Sequence, residues 1–280
     1  MLKGSTVLGS GTYTSASPRP LVGRFLLGGG PRKLSSSHAA MRGPMSQERN
    51  FLQKTAATVA TQGICTQQEY NRVMRDAMGW QDRPYDYDYS RGLYFHEIIP
   101  GLIVGSQPRH ARDVEELKSL GITSILSLQQ DKDMHYWGVD PGEVHGTCVR
   151  LGMNLIRREV QDFDPHSLRR VLPSAVRSLH EELAKGGRVY VHCTAGLGRA
   201  PAVGIAYLYW FGGLELPDAY NLLTSIRPCG PKKHAVRAAT FDLLHRHQGK
   251  HHHEFDHMPE EAFAFLNQQD RQCLHQSLFG

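Results

Sequence analysis

No stretch of this 280-residue chain approaches the run of about eighteen apolar residues that a membrane-spanning helix requires, so none is expected. Cysteine is scarce. The five, at 65, 148, 193, 229 and 273, fall at irregular intervals, without the paired spacing of a zinc site or the density of a secreted disulfide framework. Acid is missing from the N-terminal stretch, where the first carboxylate is Glu48. That absence accounts for the formal net charge of +5. Residues 1–47 hold six basic residues (Lys3, Arg19, Arg24, Arg32, Lys33, Arg42), and setting them aside leaves 26 basic against 27 acidic over the remainder. The body is therefore no polycation, which excludes a sequence-independent grip on nucleic-acid phosphates. The stretch is also rich in Ser, Thr and Gly, with only a short apolar patch at Leu26-Leu27. This is too little for a secretory signal and matches the composition of a plastid or mitochondrial transit peptide, the Ser and Thr content favouring the chloroplast. Residues 1–65 are expected to be such a leader.

What remains is 40% hydrophobic over the whole chain, enough for a sizeable core. One stretch organises it: Val189 to Val203, VYVHCTAGLGRAPAV. An apolar strand ends at His192 and Cys193, a small loop follows, and Arg199 opens a helix pattern. A loop between a strand end and a helix N-terminus aims successive backbone N–H groups into one concavity that suits a phosphate dianion. The same field favours a thiolate, lowering a cysteine pKa from about 8.5 to roughly 3.5–7.5. Arg199 can offer a two-pronged guanidinium to phosphate oxygens. Gly196 and Gly198 are expected to permit the loop's sharp path. The bland alternative, a small buried cysteine at a strand end, leaves the arginine spacing and the helix beyond it unexplained. The residues between, Thr194, Ala195, Gly196, Leu197 and Gly198, carry no charge, which argues against a substrate bearing several phosphates.

Phosphate-ester cleavage through a cysteine also needs an acid for the leaving alkoxide. The loop Gln161-Asp162-Phe163-Asp164-Pro165 supplies two candidates. Asp162 is favoured, because Asp164 before Pro165 has the position of a helix cap. Elsewhere the pattern alternates strand and helix. Strands are expected at 102–105, 122–128 and 154–160, and helices at 67–78, 111–120, 144–151, 167–184, 199–211, 217–226 and 234–247. The fold class expected is α/β, a mostly parallel central sheet flanked by helices. The tail from Pro259 to Leu274 is expected to dock as one amphipathic element through Phe263, Leu266 and Leu274. Tyr85, Tyr87 and Tyr89 alternate, so an extended segment would place them on one side, as a packing strip or a stacking surface. His245, His247, His251, His252, His253 and His257 lack ligand spacing and suit a solvated linker better than a zinc site.

Cys193 to Arg199 resembles the signature loop of dual-specificity phosphatases in the C-x-A-G-x-G-R form of glucan phosphatases. LIVGSQP (102–108), LQQDKDMHYWGVD (128–140), QDFDPHSLR (161–169), YLYWF (207–211) and RPCGP (227–231) extend the resemblance to the short branch of the plant Starch-Excess-Four family, over about residues 80–270. The resemblance implies a phosphatase domain over 66–248 with an N-terminal recognition segment, and a C-terminal extension over 249–280. It implies Cys193 as nucleophile, Arg199 as clamp, Asp162 as acid, and Tyr85, Tyr87, Tyr136, Trp137, Arg157 and Phe163 as glucan contacts. It further implies phosphorylated starch or amylopectin as partner, the glucosyl 3-position as target, no metal or other cofactor, and a monomer in the plastid stroma at the granule surface. Ala200 stands where many cysteine phosphatases carry Ser or Thr, and glucan phosphatases of this type share the alanine. A protein phosphatase or a catalytically dead glucan-binding scaffold are the alternatives.

Overall fold

The computed structural model describes residues 67–79, 85–245 and 255–280. The leader expected at 1–65 and the histidines at 247 and 251–253 lie outside them. Five strands form one sheet: β1 (Phe95–Ile99), β2 (Leu102–Gly105), β3 (Ser124–Ser127), β4 (Asn154–Arg157) and β5 (Val189–His192), in the order β1-β2-β5-β3-β4. Only β1 is antiparallel. The other four run parallel, as their continuous apolar composition demands when both faces are covered. β5 lies at the centre, fully buried, and Gly105 and Ser127 both pair with His192. Three parallel strands thus end level with one another just before Cys193, where an open α/β sheet places its ligands.

The helices are α1 over residues 67–78, α2 (Ala111–Ser119), α3 (Asp131–Tyr136), α4 (Pro141–Arg150), α5 (Pro165–Ala184), α6 (Arg199–Trp210), α7 (Leu216–Ile226), α8 (Lys233–His245) and α9 (Gln268–Phe279). α6 is apolar nearly all round and packs its residues beneath the sheet. α5 starts two residues earlier than its periodicity predicts. Asp164 accepts from the amides of His166 (2.8 Å) and Ser167 (3.0 Å), and Pro165 takes the first helical position, where its missing N–H costs nothing.

The tail is not one amphipathic element. Residues around Phe263 form turns, Phe263 itself adopts a φ of 56°, and its ring joins Phe241 and Phe255. Leu266, Leu274 and Leu278 enter the main core. Arg271 then fastens α9 by donating to the carbonyls of Tyr209 (2.5 Å) and Leu214 (3.2 Å).

His192 illustrates how the core sets a pH limit. Burial pushes its imidazole down to about 4, and its Nδ1–H donates to the Cys193 carbonyl at 3.0 Å. The folded state therefore holds a neutral ring where the unfolded chain protonates near 6.5, so the unfolded state binds the extra proton. This stabilisation is complete above pH ~6.5 and fades as pH falls towards 4, by roughly 3 kcal/mol. Denaturant titrations at pH 7 and pH 4.5 should show His192→Asn losing less stability on acidification than the parent chain; an equal loss would remove His192 as the cause.

Candidate active site

The loop from Cys193 to Gly198 is held from behind by its carbonyls. Arg227, wholly buried, donates from Nε to the Gly196 oxygen (2.7 Å) and from a terminal nitrogen to the Ala195 oxygen (3.0 Å). The Gly230 amide takes the Leu197 oxygen at 3.0 Å, and the Gln107 amide takes that of Thr194 at 2.9 Å. With four successive carbonyls engaged on the outer side, the intervening amides are left for the concave side, which is the nest that an anion needs. Arg227 is itself positioned by the Tyr94 ring, 4.5 Å away, and by His96, whose Nδ1 lies 3.2 Å from it and accepts from it.

Gly196 is obligatory twice over. Its φ is 68°, and a Cβ there would lie 2.3 Å from the Gly105 oxygen. Gly198 is different: its φ of −123° suits any residue, and the nearest obstacle to a Cβ is the flexible Met78 terminus at 2.9 Å. The sequence-based expectation that both glycines bend the loop holds only for Gly196.

Cys193 lies buried at the base of this bowl, with Arg199 beside it. The guanidinium is heavily engaged. One terminal nitrogen donates to Asp133 (2.5 Å) and the Val160 carbonyl (2.9 Å), and the other to Thr194 Oγ1 (3.1 Å) and Asp162 Oδ2 (2.9 Å). Its Nε finds no acceptor among the described residues, a buried donor left over for an anion. Burial opposes the arginine's charge, and Asp162, Cys193 and Asp133 more than compensate, so it stays firmly cationic. For Asp162 burial dominates and raises the carboxyl above the usual carboxylate range. Arg199 opposes this and Asp133 adds to it. A carboxyl that resists ionisation beside a phosphate bowl suits a proton donor. Asp164, by contrast, spends its carboxylate on the α5 cap.

Two residues that sequence reasoning missed complete the support. Asp133, on the short helix α3, holds Arg199. Gln129 links the loop to the sheet, donating to Gln107 Oε1 (2.7 Å) and Thr194 Oγ1 (3.2 Å), while Gln107 donates to the Tyr87 hydroxyl (2.9 Å). Both lie in LQQDKD, whose polar residues just past a buried strand were the available signal.

The expected aromatic contacts separate into groups. Trp137 packs edge-on to Tyr87 (5.2 Å), Tyr89 (5.9 Å) and Tyr136 (5.3 Å). Tyr87 and Trp137 are buried at 2% and 6% exposure, so they form the wall's inner layer. Tyr136 (44%) and Phe163 (38%) carry its exposed surface. Phe163 reaches its place through a left-handed backbone with φ of 59°, uncommon for a non-glycine residue and frequent at functional sites. The three alternating tyrosines do not share one face: Tyr87 and Tyr89 both meet Trp137, and Tyr89 opens a 3-10 helix capped by Asp88. Tyr85 instead stacks on Tyr94 at 4.3 Å, behind the loop with Arg227. Arg157 pairs with Asp131 (2.7 Å) and Glu159 (3.1 Å) at a separate cavity of about 500 Å³ shared with His192 and Gln129. Among the described residues no group of three His, Cys, Asp or Glu side chains could hold a metal ion, and the described cysteines are all free thiols.

Residues 102–237 match the family described as dual specificity phosphatase, catalytic domain. The chain is 41% identical over 177 residues to the phosphoglucan phosphatase DSP4, amyloplastic, of Castanea sativa, covering 62% of this chain and 46% of that protein. It is 34% identical over 181 residues to the phosphoglucan phosphatase LSF1, chloroplastic, of Arabidopsis thaliana, covering 64% and 30% respectively. Laforin of Mus musculus is 28% identical over 149 residues, covering 49% and 45%. The chain spans less than half the length of each of these relatives.

Proposed function

We propose that this chain, whose residues 102–237 match the dual specificity phosphatase catalytic domain, removes phosphate monoesters from a glucan in a plastid. The thiolate of Cys193 attacks phosphorus in line, forming the S–P bond as the P–O bond to the sugar breaks. The loop amides and Arg199 bear the charge on the equatorial oxygens. Asp162 passes its proton to the departing sugar oxygen and, as carboxylate, then takes one from the water that cleaves the cysteinyl phosphate. Inorganic phosphate leaves and Cys193 returns to its starting state. The buried Ala200 offers no hydroxyl to help that second step, so the loop amides alone ease the thiolate's departure.

The observation that carries the glucan reading is the aromatic wall beside the acid, Trp137 and Tyr87 backing Tyr136 and Phe163. Flat rings suit the apolar faces of sugars. Two relatives, named as an amyloplastic and a chloroplastic phosphoglucan phosphatase, support the same substrate and compartment. A protein phosphatase would use the same bowl, and the comparison that separates them is direct. Phosphate release per enzyme from solubilised phosphoglucan should exceed that from phosphotyrosyl and phosphoseryl peptides at least tenfold in kcat/KM. Peptides equal to or better than glucan would overturn the glucan reading. Position-resolved release from starch granules should show loss from the 3-position.

A further inference from the structure

The proposed chemistry makes no use of α1, yet this helix lies across the catalytic groups. Its Tyr70 hydroxyl donates to Asp162 Oδ2 at 3.2 Å, the same oxygen that faces Arg199. The Tyr70 ring sits 5.2 Å from Trp137, 5.8 Å from Phe163 and 6.1 Å from Tyr87, in the middle of the aromatic set. Burial, with Asp162 adding to it, keeps the phenol well above its ordinary range and so neutral, able to donate. Eight residues on, about 12 Å along the helix, Met78 closes the other side. A Cβ on Gly198 would lie 2.9 Å from its methyl carbon, and one on Gly230 2.7 Å from its sulfur. Ala77 and Met78 also line, with Asp162, Phe163, Arg199 and Gly230, a small cavity of about 40 Å³ beside the acid.

We propose that α1 is an autoinhibitory lid, with Tyr70 occupying the place of the leaving group. A phenol hydrogen-bonded to the general acid, with its ring among the substrate-facing aromatics, is where the alcohol would stand after phosphoryl transfer. Away from the chemistry the lid is held by Met74, which is buried in the main core, and by polar contacts. Asn71 exchanges two hydrogen bonds with the Tyr87 backbone (2.8 and 2.9 Å), Arg75 pairs with Asp86 (2.7 Å), and the Lys232 ammonium donates to the Ala77 carbonyl. None of the polar partners lies in a strand, so opening the latch costs the burial of Met74 and leaves the sheet's own hydrogen bonds in place. A substrate binds only the fraction of molecules with the lid raised, so its apparent affinity falls by that fraction. The inference rests on the phosphatase reading of the site, and not on glucan as the substrate.

The test uses the full chain and para-nitrophenyl phosphate. Asn71→Ala, which removes latch bonds and touches no catalytic group, should raise kcat/KM about 5- to 10-fold, chiefly through a lower KM. Tyr70→Ala should do at least as much, and Tyr70→Phe, which keeps the ring but loses the bond to Asp162, should gain less. Thermal melts establish that each variant is folded, and Asn71→Ala serves if Tyr70→Ala is not. If both folded variants turn over at the parental rate, there is no lid. If the Tyr70 variants lose kcat, Tyr70 instead positions the acid and the lid is likewise overturned. Silence of parent and variants alike would sink the phosphatase reading together with it.

Discussion

Cys193→Ser should abolish phosphate release, by at least about 10⁴-fold in kcat, on both para-nitrophenyl phosphate and solubilised phosphoglucan, while the melting temperature should stay near that of the parent chain. The two outcomes follow from different physics. Oγ replaces Sγ at a site 3% exposed, so packing in the bowl hardly changes. The serine hydroxyl, however, holds its proton far above neutral pH and is a far weaker nucleophile than a thiolate. The amides and Arg199 remain, so the variant still binds the phosphate and acts as a trap that retains phosphoglucan. Turnover within tenfold of the parent would remove Cys193 as the nucleophile.

Asp162→Asn should cost roughly 10²–10⁴-fold in kcat, and the loss should depend on the leaving group. Para-nitrophenolate departs readily without a proton, whereas a sugar alkoxide does not. The deficit is therefore larger on phosphoglucan than on the aryl ester. The pH profile carries the same signature. The acid must be protonated for the first step, and burial raises Asp162 above the ordinary carboxylate range. Activity thus declines as pH rises through that raised value, and the Asn variant loses this alkaline limb. Asp164→Ala is the control. It removes the α5 cap, at about 1 kcal/mol of stability, and leaves the rate nearly unchanged. A rate loss in Asp164→Ala with none in Asp162→Asn would reverse the assignment.

These predictions draw on two levels of information. The strand, cysteine, small loop and arginine in VYVHCTAGLGRAPAV are adjacent in the chain, and their chemistry follows from local geometry: a strand ending before a helix N-terminus forms an anion nest wherever it occurs. Hydrophobic periodicity likewise determined the alternation of strands and helices, and the Asp164-Pro165 pair determined where α5 begins. The fold class was legible for that reason.

What tertiary structure alone decided are the partners distant in sequence. Arg227 is 31 residues from the Gly196 carbonyl it holds, and Asp133 is 66 from Arg199. Each lies in a stretch the sequence marks out, LQQDKD and RPCGP, but nothing local shows what it holds. The tyrosines were ambiguous for the same reason. Alternation predicts one shared face, but the rings go where the fold offers partners: Tyr87 and Tyr89 to Trp137, and Tyr85 to Tyr94 at the back of the loop. Helix α1 is the clearest case. Its periodicity predicted a helix, but Tyr70 on Asp162 spans 92 residues, and only packing brings them together. The sequence by itself determined the strand, loop and helix on which the proposed phosphate chemistry rests, because these are neighbours in the chain. The supports and the covering of the site came from the fold, because hydrogen bonds and ring contacts are set by proximity in space.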